Sequence, residues 1–287
     1  MVLLFQTGKR GKTMSASLRI QTLWIGERLS RLERLCLASF VYHGHPVDLY
    51  TYGEIAGVPP GVGVKDANEI IPEDQVFTYF NGSFAGFADL FRWKLLLDRG
   101  GCWIDTDMLC VRPFDFDEPI VFGREIDLAK HIHWTAAVGV LIFPQQHEVC
   151  AYMVDRCQNP HRIDWTDKPK HVIQKLYRRH ISGNPAPVGW GSAGGPVGFC
   201  HAVRKFQLQK YEVPTTVFYP VSGAHWQTPF DRTYQGNFEL FHATRGIHLW
   251  NEILRQSDFD KDAPYQPGSL MDYYQQLYLP EEIKVAA

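Results

Sequence analysis

The 287-residue sequence has almost no net charge, since 29 Lys and Arg against 31 Asp and Glu leave −2. A protein that grips nucleic acid through its overall field is therefore not expected. No uninterrupted apolar run approaches the ~18 residues of a membrane-spanning helix. The opening Met1-Val2-Leu3-Leu4-Phe5-Gln6 places its apolar residues ahead of the basic Gly8-Lys9-Arg10-Gly11-Lys12. A secretory leader has the opposite order, so a soluble, cytoplasmic protein is expected. The six cysteines are scattered without a C-x-x-C pair. Zinc held by cysteine has no support, and buried reduced thiols are expected. Internal repeats and long linkers are also missing. What the chain does have is aromatic residues, 14% of the total, including eight Trp and 13 Tyr. Most such rings build cores, but flat faces also suit flat ligands such as bases and sugars.

The local pattern is α/β. Residues 18–25 alternate like a strand and stop at Gly26, and Arg28 to Tyr42 carries a helical period closed by Gly44 and Pro46. Residues 47–52 form a second strand, giving the β-α-β start of a sheet with parallel strands. Residues 53–74 are punctuated by Gly and Pro and read as a loop. Ser83 can cap a helix that runs to about Asp98 and is stopped by Gly100-Gly101. Cys102-Trp103-Ile104 then reads as the third strand, and residues 138–143 as a buried one. Helices are expected near 147–157 and 168–181, a loop over 189–198, and an extended stretch over 213–226. The expected organisation is a basic extension over 1–17 and one α/β domain over 18–287. That domain divides into two halves, about 18–145 and about 146–287.

Charge is unevenly spread. Residues 161–180 carry Arg162, Lys168, Lys170, Lys175, Arg178 and Arg179 against two Asp. A stretch of this kind is usually a solvated helix face, but it could also meet a phosphorylated substrate or an anionic membrane surface.

Asp105-Thr106-Asp107 stands out by position rather than composition, because Asp-x-Asp triplets recur at 115–117, 258–260 and 260–262. It alone follows an apolar helix, a Gly-Gly stop and a short strand. Ligand crevices of open α/β sheets lie at such carboxyl ends. Extended residues at i and i+2 point to one side, so Asp105 and Asp107 are expected to converge on a divalent cation, or on a cation and a sugar hydroxyl. Carboxylate oxygens select Mg²⁺ or Mn²⁺. Asp89 and Arg92, three apart, share a face of the apolar preceding helix. Such a pair either satisfies itself or serves a ligand.

The run Phe87-Ala88-Asp89-Leu90-Phe91-Arg92 through Gly100-Gly101-Cys102-Trp103-Ile104-Asp105-Thr106-Asp107, followed by Arg112-Pro113-Phe114-Asp115, resembles the sugar-binding segment of a DXD-containing glycosyltransferase group. That group is family 32-like and includes α-1,6-mannosyltransferases, α-1,4-galactosyltransferases and the glucosylating domains of large clostridial toxins. Thr22-Leu23-Trp24-Ile25-Gly26 is similar to the group's first strand. His248-Leu249-Trp250-Asn251 is similar to the closing motif of the α-1,4-galactosyltransferase branch, and Gly195-Pro196 to a Gly-Pro found ahead of that motif. The resemblance implies a GT-A fold, a single Rossmann-like mixed sheet flanked by helices. It further implies a nucleotide-diphosphate sugar donor, UDP-linked above others, metal dependence and transfer of a hexose with retention. Carried over by position, Trp24 with Ile25 would hold the base, Asp89 and Arg92 the donor sugar, and Asp105 the sugar or ribose. Asp107 and His248 would hold Mn²⁺ or Mg²⁺, and Trp250 and Asn251 would sit beside the leaving group. Asp89, Arg92, Asp105 and Asp107 are thus the expected catalytic set.

One departure concerns the Asn pair that the group carries before a buried strand. Here the stretch reads His133-Trp134-Thr135-Ala136-Ala137, and His131 or His133 is the candidate replacement. The acceptor could be a glycan, a glycolipid or a protein, with peripheral contact at the inner membrane face as one setting. Rival readings are an inverting transferase of the same fold and a catalytically silent nucleotide-sugar-binding protein. An Asp-nucleophile phosphohydrolase is a weaker rival, because its motif follows the first strand and ends in Thr or Val where Leu109 stands.

Overall fold

The computed structural model describes residues 18–79, 82–127, 132–164, 167–184, 186–189, 191–234 and 242–280. The basic segment 1–17 lies outside them, as do His131, Trp165 and Trp190 and the side chains of His133 and Trp134. The candidate replacement for the Asn pair therefore lies outside the described residues.

The chain begins with strand β1 (Ile20–Leu23), helix α1 (Arg31–Tyr42) and strand β2 (Val47–Thr51). Both strands are buried along their whole length. They pair in parallel with Ile20 opposite Val47 and Leu23 opposite Tyr50. Ser30 and Glu33 close a capping box at the start of α1, which satisfies two amide donors that the first turn leaves open. Leu32, Leu35, Cys36 and Phe40 then lie on its buried face.

Strand β3 (Val62–Asp66) pairs in parallel with β2, inside the stretch whose glycines and prolines suggest a loop. Its residues are half-exposed or exposed, so no hydrophobic alternation marks it. Short, charged and solvent-facing strands are common at sheet edges, where they discourage pairing with other chains.

Helix α2 (Ala85–Arg99) runs into strand β4 (Gly101–Ile104) through two glycines that are both required. Gly100 and Gly101 adopt φ of +65° and +91°, a region that side chains rarely enter. A Cβ on Gly100 would lie 2.5 Å from the backbone nitrogen of Gln145, and one on Gly101 2.9 Å from Gln21 Nε2. Because β3 precedes it, Asp105 follows the fourth strand in chain order rather than the third.

Strands β5 (Met108–Cys110), β6 (Val121–Asp127) and β7 (Ile132–Phe143) come next. Helices α3 (Glu148–Gln158), α4 (Pro169–Tyr177) and α5 (Pro196–Lys205) lead to strand β8 (Glu212–Val213). Short helix α6 (Thr215–Phe218), strand β9 (Gly246–His248) and helices α7 (Asn251–Gln256) and α8 (Leu270–Tyr278) complete the described chain. Residues 213–226 are not extended. Pro214 caps α6, and a further helical turn covers Gly223–His225. A proline cannot donate to a strand ladder, which confines β8 to two residues.

The main sheet has seven strands in the order β3-β2-β1-β4-β7-β6-β8. It is mixed: β4 is parallel to β1 but antiparallel to β7, and β7 is antiparallel to β6. Helices cover both faces. Trp103, Leu141 and Phe143 face Phe91, Trp93 and Phe199 of α2 and α5. Ile104, Val140 and Ile142 face Leu37 and Phe40 of α1 with Phe218. A separate two-stranded ribbon joins β5 to β9 and sets Met108 opposite His248. Among the described residues no helix is long and apolar enough to cross a membrane, and the six cysteines are free thiols.

Candidate active site

The carboxylates converge, but through a turn rather than an extended segment. Asp105 leaves β4 with its amide bonded to the Gly139 carbonyl at 2.8 Å, and the Met108 amide folds back to the Asp105 carbonyl at 3.0 Å. The β5–β9 ribbon then carries His248 to the same place. One ligand atom from each of Asp105, Asp107 and His248 falls within 4.8 Å of the others.

Each carboxylate is held by a different element. Asp105 Oδ1 accepts hydrogen bonds from Arg92 Nη2 at 2.8 Å and Trp103 Nε1 at 2.9 Å. Arg92 also reaches Asp89 Oδ1 at 3.1 Å, and its guanidinium lies over the Trp103 ring at 5.1 Å from the centroid. The two readings of the Asp89–Arg92 pair thus merge: Arg92 is an internal ion-pair partner that ties α2 to the Asp-x-Asp turn. On the far side, Asp107 Oδ2 accepts the Asn251 amide at 2.6 Å. The Asp107 carbonyl accepts from the Leu249 amide at 3.0 Å, and Asp107 Oδ1 lies 3.5 Å from His248 Nε2.

Burial pushes the Asp107 carboxyl above the usual range and Asp105 adds to this, while His248 and the Asn251 amide pull it back. Asp89 is likewise pushed up to about 6, first by desolvation and then by Asp105, against the pull of Arg92. The sign of the resulting pH dependence follows from linkage. Between the ordinary carboxyl value and about 6, folded Asp89 holds more protons than the unfolded chain. Its contribution therefore favours folding at acid pH and is lost as pH rises through that window. Thermal denaturation of Asp89→Asn beside the wild type should show the variant gaining in relative stability from about pH 4 to about pH 7. A relative loss over that window would show that Arg92 outweighs burial.

Trp250 closes the site. It occupies the left-handed region at φ +60°, an uncommon conformation for a bulky residue and frequent where function imposes strain. Its indole N–H donates to the Val221 carbonyl at 2.9 Å, and its ring stands edge-on to His248 at 4.6 Å. Gly195 packs over Asp89, where a Cβ would lie 3.2 Å from Oδ2, and Trp93 Nε1 donates to the Gly194 carbonyl at 2.7 Å.

Trp24 stands just past β1, half-buried, and is joined to the cluster by one lysine. Lys261 Nζ lies 5.6 Å from the centroid of the Trp24 ring and donates to Asn251 Oδ1 at 3.1 Å. It also pairs with the buried Glu33. Gly26, at φ +151°, fits closely beside this ring, since a Cβ there would lie 3.1 Å from Trp24 Nε1. Ile25 packs against the hydrophobic core.

Three site residues escape the sequence reading. Tyr219 has a buried hydroxyl without a partner, and burial followed by Asp105 drives its phenol well above the ordinary value. Gly139 lies beneath the cluster, where a Cβ would come 2.9 Å from the Tyr219 hydroxyl and 3.2 Å from Asp105 Oδ2. A lone glycine inside a strand pattern signals such close approach. Tyr219 and Lys261 carry no comparable signal.

Asp105, Asp107 and His248 form a donor set suited to a hard or borderline divalent ion, as Mn²⁺ and Mg²⁺ are. Asp107 is buried beside Asp105, which adds to the upward push of burial on its carboxyl, and a cation held between the two acids would relieve that repulsion. One detail departs from expectation: His248 Nδ1 is buried without a partner, whereas a metal-bound imidazole usually has its second nitrogen anchored.

Residues 202–274, which include Tyr219, His248, Trp250, Asn251 and Lys261, match a family model described as the alpha 1,4-glycosyltransferase conserved region. The likeness to glycosyltransferases rests on this matched stretch, which carries part of the site. Among solved structures the chain is similar to the PaToxG glycosyltransferase, at 13% identity and a TM-score of 0.45 over 91% of this chain and 86% of that one. The glycosyltransferase domain of the YGT toxin gives 9% and 0.42 over 69% and 79%. Glycosyltransferase GlyE of Streptococcus pneumoniae TIGR4 gives 10% and 0.40 over 94% and 65%. No curated protein matches the chain.

Proposed function

We propose that the protein transfers a hexose from a nucleotide-diphosphate sugar, with UDP the preferred nucleotide, to a hydroxyl of a glycan, glycolipid or protein, with retention at the anomeric carbon. The observation that carries this reading is the meeting of Asp105, Asp107 and His248 at the end of the central strand. Asp107 and His248 would hold Mn²⁺ or Mg²⁺, whose chemistry there is to neutralise the diphosphate and improve it as a leaving group. Arg92, braced by Asp89 and Asp105, holds the acids of the donor-sugar site in a fixed arrangement, and Asp89 Oδ2 is left to accept from sugar hydroxyls. Trp24 offers a face to the base, and stacking of this kind contributes ~1–3 kcal/mol in single-stranded nucleic-acid sites. Lys261 connects that face to Asn251 and so to Asp107. With no separate protein nucleophile assigned, the leaving phosphate takes the proton of the attacking acceptor hydroxyl. The setting we propose is the cytoplasm.

An inverting reaction is the second reading, favoured by Asp89, whose carboxyl at about 6 is near the value suited to a general base. Two measurements decide. A thermal-shift series of UDP- and GDP-sugars with and without Mn²⁺ should show stabilisation that needs both components. Its absence across the series removes the donor assignment. The anomeric configuration of the product, read by NMR, separates retention from inversion.

A further inference from the structure

Helix α4 is mounted with its apolar side outward. A surface helix normally buries its apolar stripe and shows its polar face to water. Here the inward contacts are polar. Lys175, itself buried, pairs with Asp167 at 2.7 Å and donates to the Arg162 carbonyl at 2.8 Å. Arg178, in the helical turn that continues α4, donates to the carbonyls of Ala186 and Pro187 at 2.7 and 2.8 Å. These anchors fix which side faces out, and that side carries Ile173, Leu176, Tyr177 and Ile181. Ile173 and Ile181 are 68% and 74% exposed, the highest values among the exposed large apolar residues. Residues 173, 176 and 177 follow the i, i+3, i+4 spacing of one helix face.

The charge around this ridge has one sign. Residues 168–183 contain five Lys and Arg and no acid. Two of the five serve as the anchors, which leaves Lys168, Lys170 and Arg179 exposed beside the ridge. The nearby acids Asp164 and Asp167 are engaged by Arg156 and Lys175. An exposed apolar ridge flanked by long basic side chains fits an anionic lipid surface: the ridge enters the boundary of the acyl chains while lysine and arginine reach the headgroups.

We propose that the outward face of α4 and the turn after it docks the protein on an anionic membrane leaflet. The loop returning from this lobe ends at Gly194-Gly195, which packs against Asp89, so the docking face belongs to the same lobe as one wall of the donor-sugar site. The inference rests on the mounting of α4 and stands apart from the transferase reading.

The test is co-sedimentation of the full chain with vesicles of phosphatidylcholine alone and with roughly one-third phosphatidylserine. The wild type should sediment with the anionic vesicles and stay in solution with the neutral ones. The pair Ile173→Ser with Ile181→Ser, and separately Lys170→Glu with Arg179→Glu, should each lower partitioning about tenfold or more. All four positions are exposed, so melting temperatures and the response to UDP-sugar with Mn²⁺ should match the wild type. A donor response missing from every form would count against the transferase reading and leave the sedimentation result standing. The proposal is overturned if the wild type stays in solution with anionic vesicles, or if both paired variants sediment as it does. It is also overturned if size-exclusion chromatography shows a wild-type dimer that the serine variants convert to monomer, since the face would then join two copies of the chain.

Discussion

Asp107→Asn should abolish donor turnover, lowering it about a thousandfold or more, with the fold intact. The carboxamide has nearly the shape of the carboxylate, and its oxygen can still accept the Asn251 amide that the carboxylate accepts at 2.6 Å. What disappears is the charge facing His248 across 3.5 Å. The electrostatic contribution of a catalytic metal is several kcal/mol, and about 4 kcal/mol corresponds to roughly three orders of magnitude in rate. Stability should move the other way. Burial raises the Asp107 carboxyl, so the ionised form is disfavoured in the folded protein, and replacing it with a neutral group should leave the melting temperature unchanged or higher. Asp105→Asn should be milder, because the neutral oxygen can still accept from Arg92 or Trp103, which both bond Oδ1 in the wild type. Donor hydrolysis with Mn²⁺ present, followed by release of the nucleotide diphosphate, measures both variants. Full activity in Asp107→Asn would remove this residue from the site.

The parts of this site that were legible in the sequence are those that lie close together along the chain. The α2 helix, the Gly-Gly stop, β4 and the Asp-x-Asp turn occupy one run from Ala85 to Asp107. Each step there leaves a local mark: helical period, glycines required by positive φ, then a short apolar strand. The bond from Trp103 to Asp105 shows that a buried ring of this strand can also orient a site residue. His248 lies far from Asp107 in sequence, and the ribbon that joins them has only three residues per strand, too few for a period to stand out. Only the resemblance of its flanking Trp250 and Asn251 brought it forward. Tyr219 was hidden for a different reason. It sits where prolines break the chain into short turns, and which turn faces the cluster is decided by packing against Phe218, Gly123 and Gly139. The inside-out mounting of α4 was equally hidden, since periodicity reveals an apolar face but not which way it is turned. That direction is set by Asp167, Ala186 and Pro187, all outside the helix.

Arg92→Met should produce the largest loss of stability. Arg92 is 5% exposed and lies between Asp89 and Asp105, at 3.1 Å from one and 2.8 Å from the other. Methionine fills much of the same space, so the change deletes a charge rather than opening a cavity. Two acids then remain close together with no cation between them, and the stacking of the guanidinium on Trp103 is lost. Removing one partner of a buried ionic network costs about 3–5 kcal/mol, which in a chain of this size lowers the melting temperature by about 10 °C. The loss should also depend on pH. Arg92 is the group that pulls the Asp89 carboxyl downward, so without it the carboxyl rises further and the folded protein takes up a proton more readily. Linkage then returns stability as pH falls toward about 5, and the gap to the wild type should narrow there. Arg92→Lys keeps the charge but lacks the fork that spans both acids, so it should recover part of the stability at neutral pH and less of the donor affinity. Thermal melts of the three forms at about pH 5 and about pH 7.5 test this ordering. If Arg92→Met melts within about 2 °C of the wild type at the higher pH, the Asp89–Arg92–Asp105 network does not hold α2 to the Asp-x-Asp turn, and the fixed arrangement of the two acids must come from Trp103 and the Gly139 strand instead.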